Sequence, residues 1–159
     1  MQTAPPQTVE PVGYELDLAL WSETQAQALE RRDASLLDWE NLAEEIRAMS
    51  RSDRRAIKSN LKLLLIHLFK WALQPERRST SWKLTIRNSR TAIQELLAES
   101  PSLRQYPTEV FEDVLADAYL DALTEMGMED TSLRPNWPLT DVLNPNFLPE
   151  PVAPQTSQL

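Results

Sequence analysis

One segment, residues 67–82, decides how the chain folds: it reads HLFKWALQPERRSTSW. It holds the only histidine and two of the five tryptophans, on either side of a Gln-Pro pair. Proline lacks a backbone N–H and disfavours helix at the residue before it, so a helix is predicted to end near Gln74. Ser79 or Ser81 can cap a new helix a few residues later. The segment therefore predicts that the chain reverses between two helices.

Outward from this reversal, helices are predicted along almost the whole chain. Apolar residues recur at spacings of three and four, and only two glycines interrupt them. Five amphipathic helices are expected. They run from Tyr14 to the RRD at 31–33, from a cap at Asp33 or Ser35 to Met49, from Ser50 or Ser52 to Leu73 or Gln74, from a cap at Ser79 or Ser81 to the ESPSL at 99–103, and roughly from Thr108 to Met126 with Gly127 as the stop.

The second predicted helix carries its apolar face at Trp39, Leu42, Ile46 and Met49. The third contains LLLIHLF at 63–69, which is apolar on nearly every side, a pattern typical of a helix enclosed by neighbours. His67 is therefore expected in a mostly buried turn. We predict that its ring is hydrogen-bonded to a carboxylate or a backbone carbonyl, and Glu45 on the second predicted helix is the first candidate.

These patterns predict an all-α fold, an antiparallel helical bundle of about five helices with a proline-rich C-terminal strap. A single helical domain is expected over residues 14–150. Residues 1–13, which contain three prolines, and residues 151–159 are expected to be disordered. The strap, at 134–150, is too apolar for a free tail, and one helical turn is expected at residues 139–143.

The charge is distributed unevenly along the chain. The net charge is -8, yet residues 47–90 hold twelve lysines and arginines against only Asp53 and Glu76. One interpretation is a basic pair of helices covered by acidic neighbours; the other is a site for a polyanion. No aromatic or glycine-rich element for stacking on bases is interleaved with these charges. Binding to nucleic acid is therefore not expected.

Several kinds of site and location are disfavoured by composition. The chain has no cysteine and one histidine, so no metal site and no cofactor are expected. The N-terminal residues have neither the basic start nor the apolar core of a signal peptide, and LLLIHLF is too short to span a bilayer. A cytoplasmic protein without membrane insertion is expected.

Chemistry-bearing side chains concentrate around the predicted reversal. The candidate residues for a pocket or a structural clamp there are Glu45, His67, Lys70, Trp71, Gln74, Arg77, Arg78, Ser81 and Trp82. A histidine beside a carboxylate can act as a general base, and arginine or lysine can hold an oxyanion. The simpler interpretation is a clamp, in which the tryptophans anchor the reversal and the basic residues oppose the negative end of a helix dipole. A small-anion or acidic-peptide pocket is the functional alternative.

No known catalytic motif supports an enzyme. The sequence contains no glycine-rich phosphate loop, no nucleophile elbow and no Glu-x-x-His pair of the kind that binds two metals in helical bundles. No catalytic residue is assigned; a non-enzyme is favoured, and an enzyme is kept as an alternative.

The chain also resembles a known family. The residues that carry the resemblance are YELDLALW at 14–21, DWENLAEEI at 38–46, HLFKWALQPERRSTSW at 67–82, SPSL at 100–103 and NFLPE at 146–150. They are similar to domain-of-unknown-function family twenty-nine over roughly residues 14–150. The resemblance implies an all-helical, intracellular bacterial domain. It implies no activity, cofactor or catalytic residue.

Three classes of function follow from these observations. The first is a protein-interaction module with an unidentified protein partner, which would expose an apolar patch containing Ile66, Phe69 or Leu73. The second is a binder of a small ligand or anion, or an enzyme, with its site at the reversal; it requires a pocket where His67, an acid and an arginine converge. The third is a nucleic-acid accessory protein that leaves residues 47–90 uncovered. The oligomeric state is left open.

Overall fold

The structure is a computed structural model that describes residues 13–130 and 134–152. The fold is all-α, and no strand occurs in these two ranges. The α-helices are α1 (Leu18–Glu30), α2 (Trp39–Leu73), α3 (Thr80–Glu99), α4 (Tyr106–Met126) and α5 (Leu139–Leu143). Short 3-10 turns precede α2, α3 and α4, at Ala34–Leu36, Pro75–Arg77 and Pro101–Leu103.

One predicted boundary is wrong. The second and third predicted helices are a single helix, α2, which is 35 residues long. Ser50 and Ser52 do not start a new helix, because neither glycine nor proline stands nearby to end the preceding one. A serine inside a helix costs well under ~1 kcal/mol relative to alanine, which the neighbouring residues can offset.

Two of the other predicted helix ends are confirmed, and the cap predicted for the second helix is wrong. The Ser79 hydroxyl accepts a hydrogen bond from the backbone N–H of Trp82 at 3.2 Å and caps α3. Gly127 ends α4 in the left-handed conformation with φ at 65°. Asp33 caps the 3-10 turn at Ala34–Leu36 rather than α2. The N-cap of α2 is Asp38, whose carboxylate accepts from the N–H of Asn41.

The chain divides into two compact units, one up to Arg51 and one from Ser52 onward. In the first unit, a small hydrogen-bond network joins α1 to Asp38, the N-cap of α2. Trp21 donates its indole N–H to Asp38 at 3.2 Å, and the buried Gln25 side chain accepts from the N–H of Asp38 at 2.7 Å. The hydrogen bond from the Asn41 side chain is the main reason that the pKa of Asp38 is lowered. Among the described residues of this unit, three are buried: Trp21, Gln25 and Ala28.

The second unit contains the hydrophobic core. Its fully enclosed side chains come from the C-terminal half of α2, from α3, from α4 and from α5. They include Leu61, Leu64, Leu65, Leu68, Phe69, Ile86, Ile93, Val114, Leu115 and Val142. The all-round apolar segment at 63–69 is thus mostly enclosed, as its sequence predicted.

A buried arginine joins α3 to the C-terminal segment. The guanidinium of Arg90 donates to the carbonyls of Val142 and Phe147, each at 2.8 Å, and of Pro145 at 3.4 Å. Trp137 and Phe69 place their ring centroids 5.0 Å apart. The helical turn predicted at residues 139–143 is confirmed as α5. Disorder was predicted for residues 1–13 and 151–159, and most of these residues, 1–12 and 153–159, lie outside the described part of the chain.

Candidate functional site

The predicted reversal occurs where the sequence places it. Helix α2 ends at Leu73, Gln74 is buried, and the 3-10 turn Pro75–Arg77 leads to the cap of α3. The side chains of Arg77 and Ser81 are exposed.

Trp71 forms the centre of the basic cluster at this reversal. The guanidinium carbon of Arg78 lies 4.8 Å from the Trp71 ring centroid, and the Lys83 ammonium lies 5.6 Å from it. Arg78 also donates its Nε–H to the Trp71 carbonyl at 3.0 Å. Its Nη2 is buried and has no hydrogen-bond partner in the described ranges. Two cations therefore share one aromatic ring, each attracted by its negative face.

Lys70 bridges three helices of the second unit. From α2, its ammonium pairs with Glu125 of α4 at 2.9 Å and lies 5.0 Å from the ring of Trp82 on α3. Only 16% of the Lys70 side chain is exposed, so its stem is packed while its charge is paired. These contacts fit the clamp interpretation of this residue.

His67 is half-buried rather than enclosed. Its Nδ1 lies 2.9 Å from the carbonyl oxygen of Leu63. A carbonyl can only accept, so Nδ1 carries the proton of the neutral ring. Burial lowers the pKa of His67, more than the Leu63 hydrogen bond raises it.

Glu45 is not the partner of His67, which corrects the sequence-based candidate. Glu45 accepts a hydrogen bond from the hydroxyl of Tyr14 at 2.5 Å, and that bond is the main reason that the pKa of Tyr14 is raised. Both Glu45 and His67 belong to α2, about six helical turns apart. The prediction that they face each other depended on a break in the helix that does not exist.

The pocket that an enzyme or small-ligand site requires, where His67, an acid and an arginine converge, is not formed by either of two surface clefts among the described residues. Neither cleft is lined by a predicted site residue. The more apolar one, of about 340 Å³, is lined by Leu97, Arg104, Pro107, Thr108, Pro138, Leu139, Thr140 and Leu143. Within the described ranges, no group of three or more His, Cys, Asp or Glu side chains is placed to hold a metal ion.

A second candidate surface lies on the first turns of α2. Trp39, Ile46 and Met49 expose 64%, 66% and 70% of their surface, and Leu42 is half-buried between them. These four residues are called the α2 stripe. The sequence identified their helical repeat, and the structure leaves most of that face uncovered. Conversely, Ile66 and Phe69, where an exposed patch was expected, are buried, and Leu73 packs against the core.

Exposed apolar side chains concentrate in the first unit. Among the described residues, twelve large hydrophobic side chains are exposed, and eight of them precede Arg51. The eight are Leu16, Leu18, Leu20, Leu29, Leu36, Trp39, Ile46 and Met49. A single exposed leucine needs no explanation, but a cluster on so short a segment is typical of an interaction surface.

The basic segment at 47–90 is only partly neutralised. Lys62 pairs with Asp121 at 2.7 Å, as Lys70 does with Glu125, so acidic α4 covers the second half of α2. Arg47, Arg54, Arg55 and Lys58 are exposed and form no ion pair with any described residue.

The fold and these surfaces define an all-α protein with an amphipathic helix face left open, and no described helix is long and apolar enough to cross a membrane. The chain belongs to the family described as Domain of unknown function DUF29, which it matches over residues 14–148. No curated protein and no solved structure matches the chain.

Proposed function

We propose that this protein is an interaction module that binds a protein partner through the α2 stripe. The observation that carries the proposal is the exposure of Trp39, Ile46 and Met49 on one helical face. Covering three such side chains would remove on the order of 400 Å² of mostly apolar surface from water. The favourable free energy of that burial is roughly 25 cal/mol per Å². That gain is available only to a partner that lies along the helix.

The composition of the first unit supports the same proposal. Of its residues from 13 onward, only Trp21, Gln25 and Ala28 are buried, which is few for a segment that includes a 13-residue helix. Helical hairpins of this size are marginal without further burial, because the entropy of ordering them is large. A partner on the α2 stripe would supply the missing burial.

Site-specific photo-crosslinking in native cells tests the proposal. A photoreactive phenylalanine analogue at position 46 is expected to give discrete protein adducts. The matched control places it at Leu120, which is 55% exposed on α4 and is expected to give none of the same adducts. If position 46 gives no adduct above the control, the stripe is not an interaction surface.

An anion-binding role at the reversal is a second candidate. It is supported by Arg78 and Lys83, which approach one Trp71 ring without a carboxylate partner among the described residues. A phosphate or the carboxylate of an acidic peptide would offset their mutual repulsion. Titration with inorganic phosphate, followed by tryptophan fluorescence, is expected to saturate in the wild type and not in Lys83→Met. Identical responses of the two proteins would exclude this role.

A further inference from the structure

We propose that the partner that covers the α2 stripe is a second copy of this chain, paired antiparallel through the same stripe. This inference rests on the proposed function. Its starting point is the spacing of the stripe residues, 39, 42, 46 and 49, which alternates three and four. That is the a and d spacing of helices that pair along one face.

An antiparallel pair about a two-fold axis near residue 44 uses every stripe residue. It sets Trp39 of one copy against Met49 of the second copy, and Leu42 against Ile46. Each residue at heptad position a then faces a residue at position d of the second copy. Each large side chain thereby has a flexible or branched apolar counterpart. The interface is self-complementary and closed, so a dimer forms rather than a filament.

The charges beside the stripe favour the antiparallel direction. Glu40 and Arg47 lie seven residues apart, on one side of α2, and both are exposed. Neither forms an ion pair with another residue in the described ranges. Antiparallel pairing places Glu40 of each copy on the same side of the pair as Arg47 of the other, whereas parallel pairing places these residues of the two copies on opposite sides. Glu44 and Arg51 pair within one copy at 2.6 Å and add no preference.

The area of the stripe predicts a weak, reversible dimer. On the order of 400 Å² per copy is about half of what a standard stable interface buries on each partner. The monomer should therefore predominate at low micromolar concentration and the dimer at high concentration. A permanent dimer would need a larger apolar surface than these four residues provide.

Sedimentation velocity from about 1 to 300 µM tests this proposal. The wild type and Leu120→Glu are expected to pass from monomer to dimer with the same midpoint. Ile46→Glu is expected to stay monomeric, since a carboxylate buried at the interface weakens pairing by more than about 100-fold. Circular dichroism checks that Ile46→Glu keeps its helix content, and Met49→Lys provides a second variant if it does not.

Charge exchange tests the direction of pairing. Glu40→Arg alone is expected to weaken the dimer about tenfold, because both new contacts are repulsive. Glu40→Arg combined with Arg47→Glu in one chain is expected to restore it. A parallel dimer would be insensitive to the single exchange, and that result would overturn the proposed arrangement.

The failure of this inference is distinguishable from failure of the proposed function. A wild type that stays monomeric at every concentration overturns the second copy as partner. If position 46 still gives crosslinked adducts of another mass, the stripe remains an interaction surface for a different protein. A dimer that Ile46→Glu leaves intact also overturns the inference, because it would use another surface.

Discussion

Ile46 follows Trp39 by seven residues on α2, and the two side chains leave 66% and 64% of their surface in contact with solvent. Seven residues are close to two full turns, so both side chains lie on one face. A face built to stabilise the monomer would be covered, as Leu64 and Leu68 are in the second unit. The exposure of Trp39 and Ile46 is therefore the feature from which the functional account begins.

The first prediction separates the stripe from the core. Ile46→Glu should change the free energy of unfolding of the monomer by no more than about 0.5 kcal/mol, because the side chain is largely solvated before the change. Leu64→Ala should lower it by about 2 to 5 kcal/mol, since that side chain is fully enclosed. Urea unfolding at low protein concentration measures both. A loss of several kcal/mol in Ile46→Glu would show that the stripe is structural.

The second prediction concerns Arg90. Replacing it by methionine should destabilise the protein by about 3 kcal/mol, because the carbonyls of Val142 and Phe147 lose charged donors while remaining partly buried. Arg87→Met is the control, since Arg87 is exposed on the same helix. Equal unfolding midpoints for the two variants would contradict a role of Arg90 in holding the C-terminal segment.

The third prediction is a pH dependence from His67, the chain's only histidine. Burial lowers the pKa of His67 below its ordinary value of 6.5, so the unfolded chain takes up this proton more readily than the folded protein does. The contribution of neutral His67 to the free energy of unfolding is present in full above pH 6.5. It is lost as the pH falls through the pKa of His67 in the folded protein. The melting temperature of the wild type, relative to His67→Gln, should therefore decrease between about pH 7.5 and pH 5.5. A difference that is independent of pH would contradict the lowered pKa.

The fourth prediction is weak binding to nucleic acid. Lys62 and Lys70 are paired with acids of α4, and the net charge of the protein is negative. The net charge repels nucleic acid and opposes the attraction of the exposed arginines of α2. Fluorescence anisotropy with a random-sequence duplex at about 0.15 M salt should give a Kd above about 10 µM. Submicromolar affinity that falls steeply with added salt would instead support a nucleic-acid accessory role.

Local chemistry explains which parts of the fold the sequence could predict. Pro75, Ser79 and Gly127 act through their own backbone or hydroxyl groups. The helix ends that they define can therefore be recognised without tertiary information. Serine is ambiguous, since it caps helices and is also tolerated inside them. The sequence therefore predicted a boundary at residues 50–52 that α2 does not have.

Tertiary relationships explain what could not be predicted. The repeat at Trp39 and Ile46 shows that a helix has an apolar face, but not whether the same chain covers it. The burial of Arg90 had no local signal, because its acceptors are carbonyls more than fifty residues away. At the candidate site, His67 has a backbone carbonyl as its partner, which is one of the two kinds predicted, but Glu45, the first candidate, bonds to Tyr14 instead.

Differential co-purification from native cells is the decisive test of whether the α2 stripe is an interaction surface. Tagged wild-type protein, Ile46→Glu and Leu120→Glu are compared at equal abundance, with an untagged copy of the chain present. At least one protein is expected to be recovered with the wild type and with Leu120→Glu and to be depleted at least about tenfold with Ile46→Glu. We propose that this protein is the untagged copy of the chain. Recovery of the same proteins in the same amounts with all three would contradict the claim that the α2 stripe is an interaction surface.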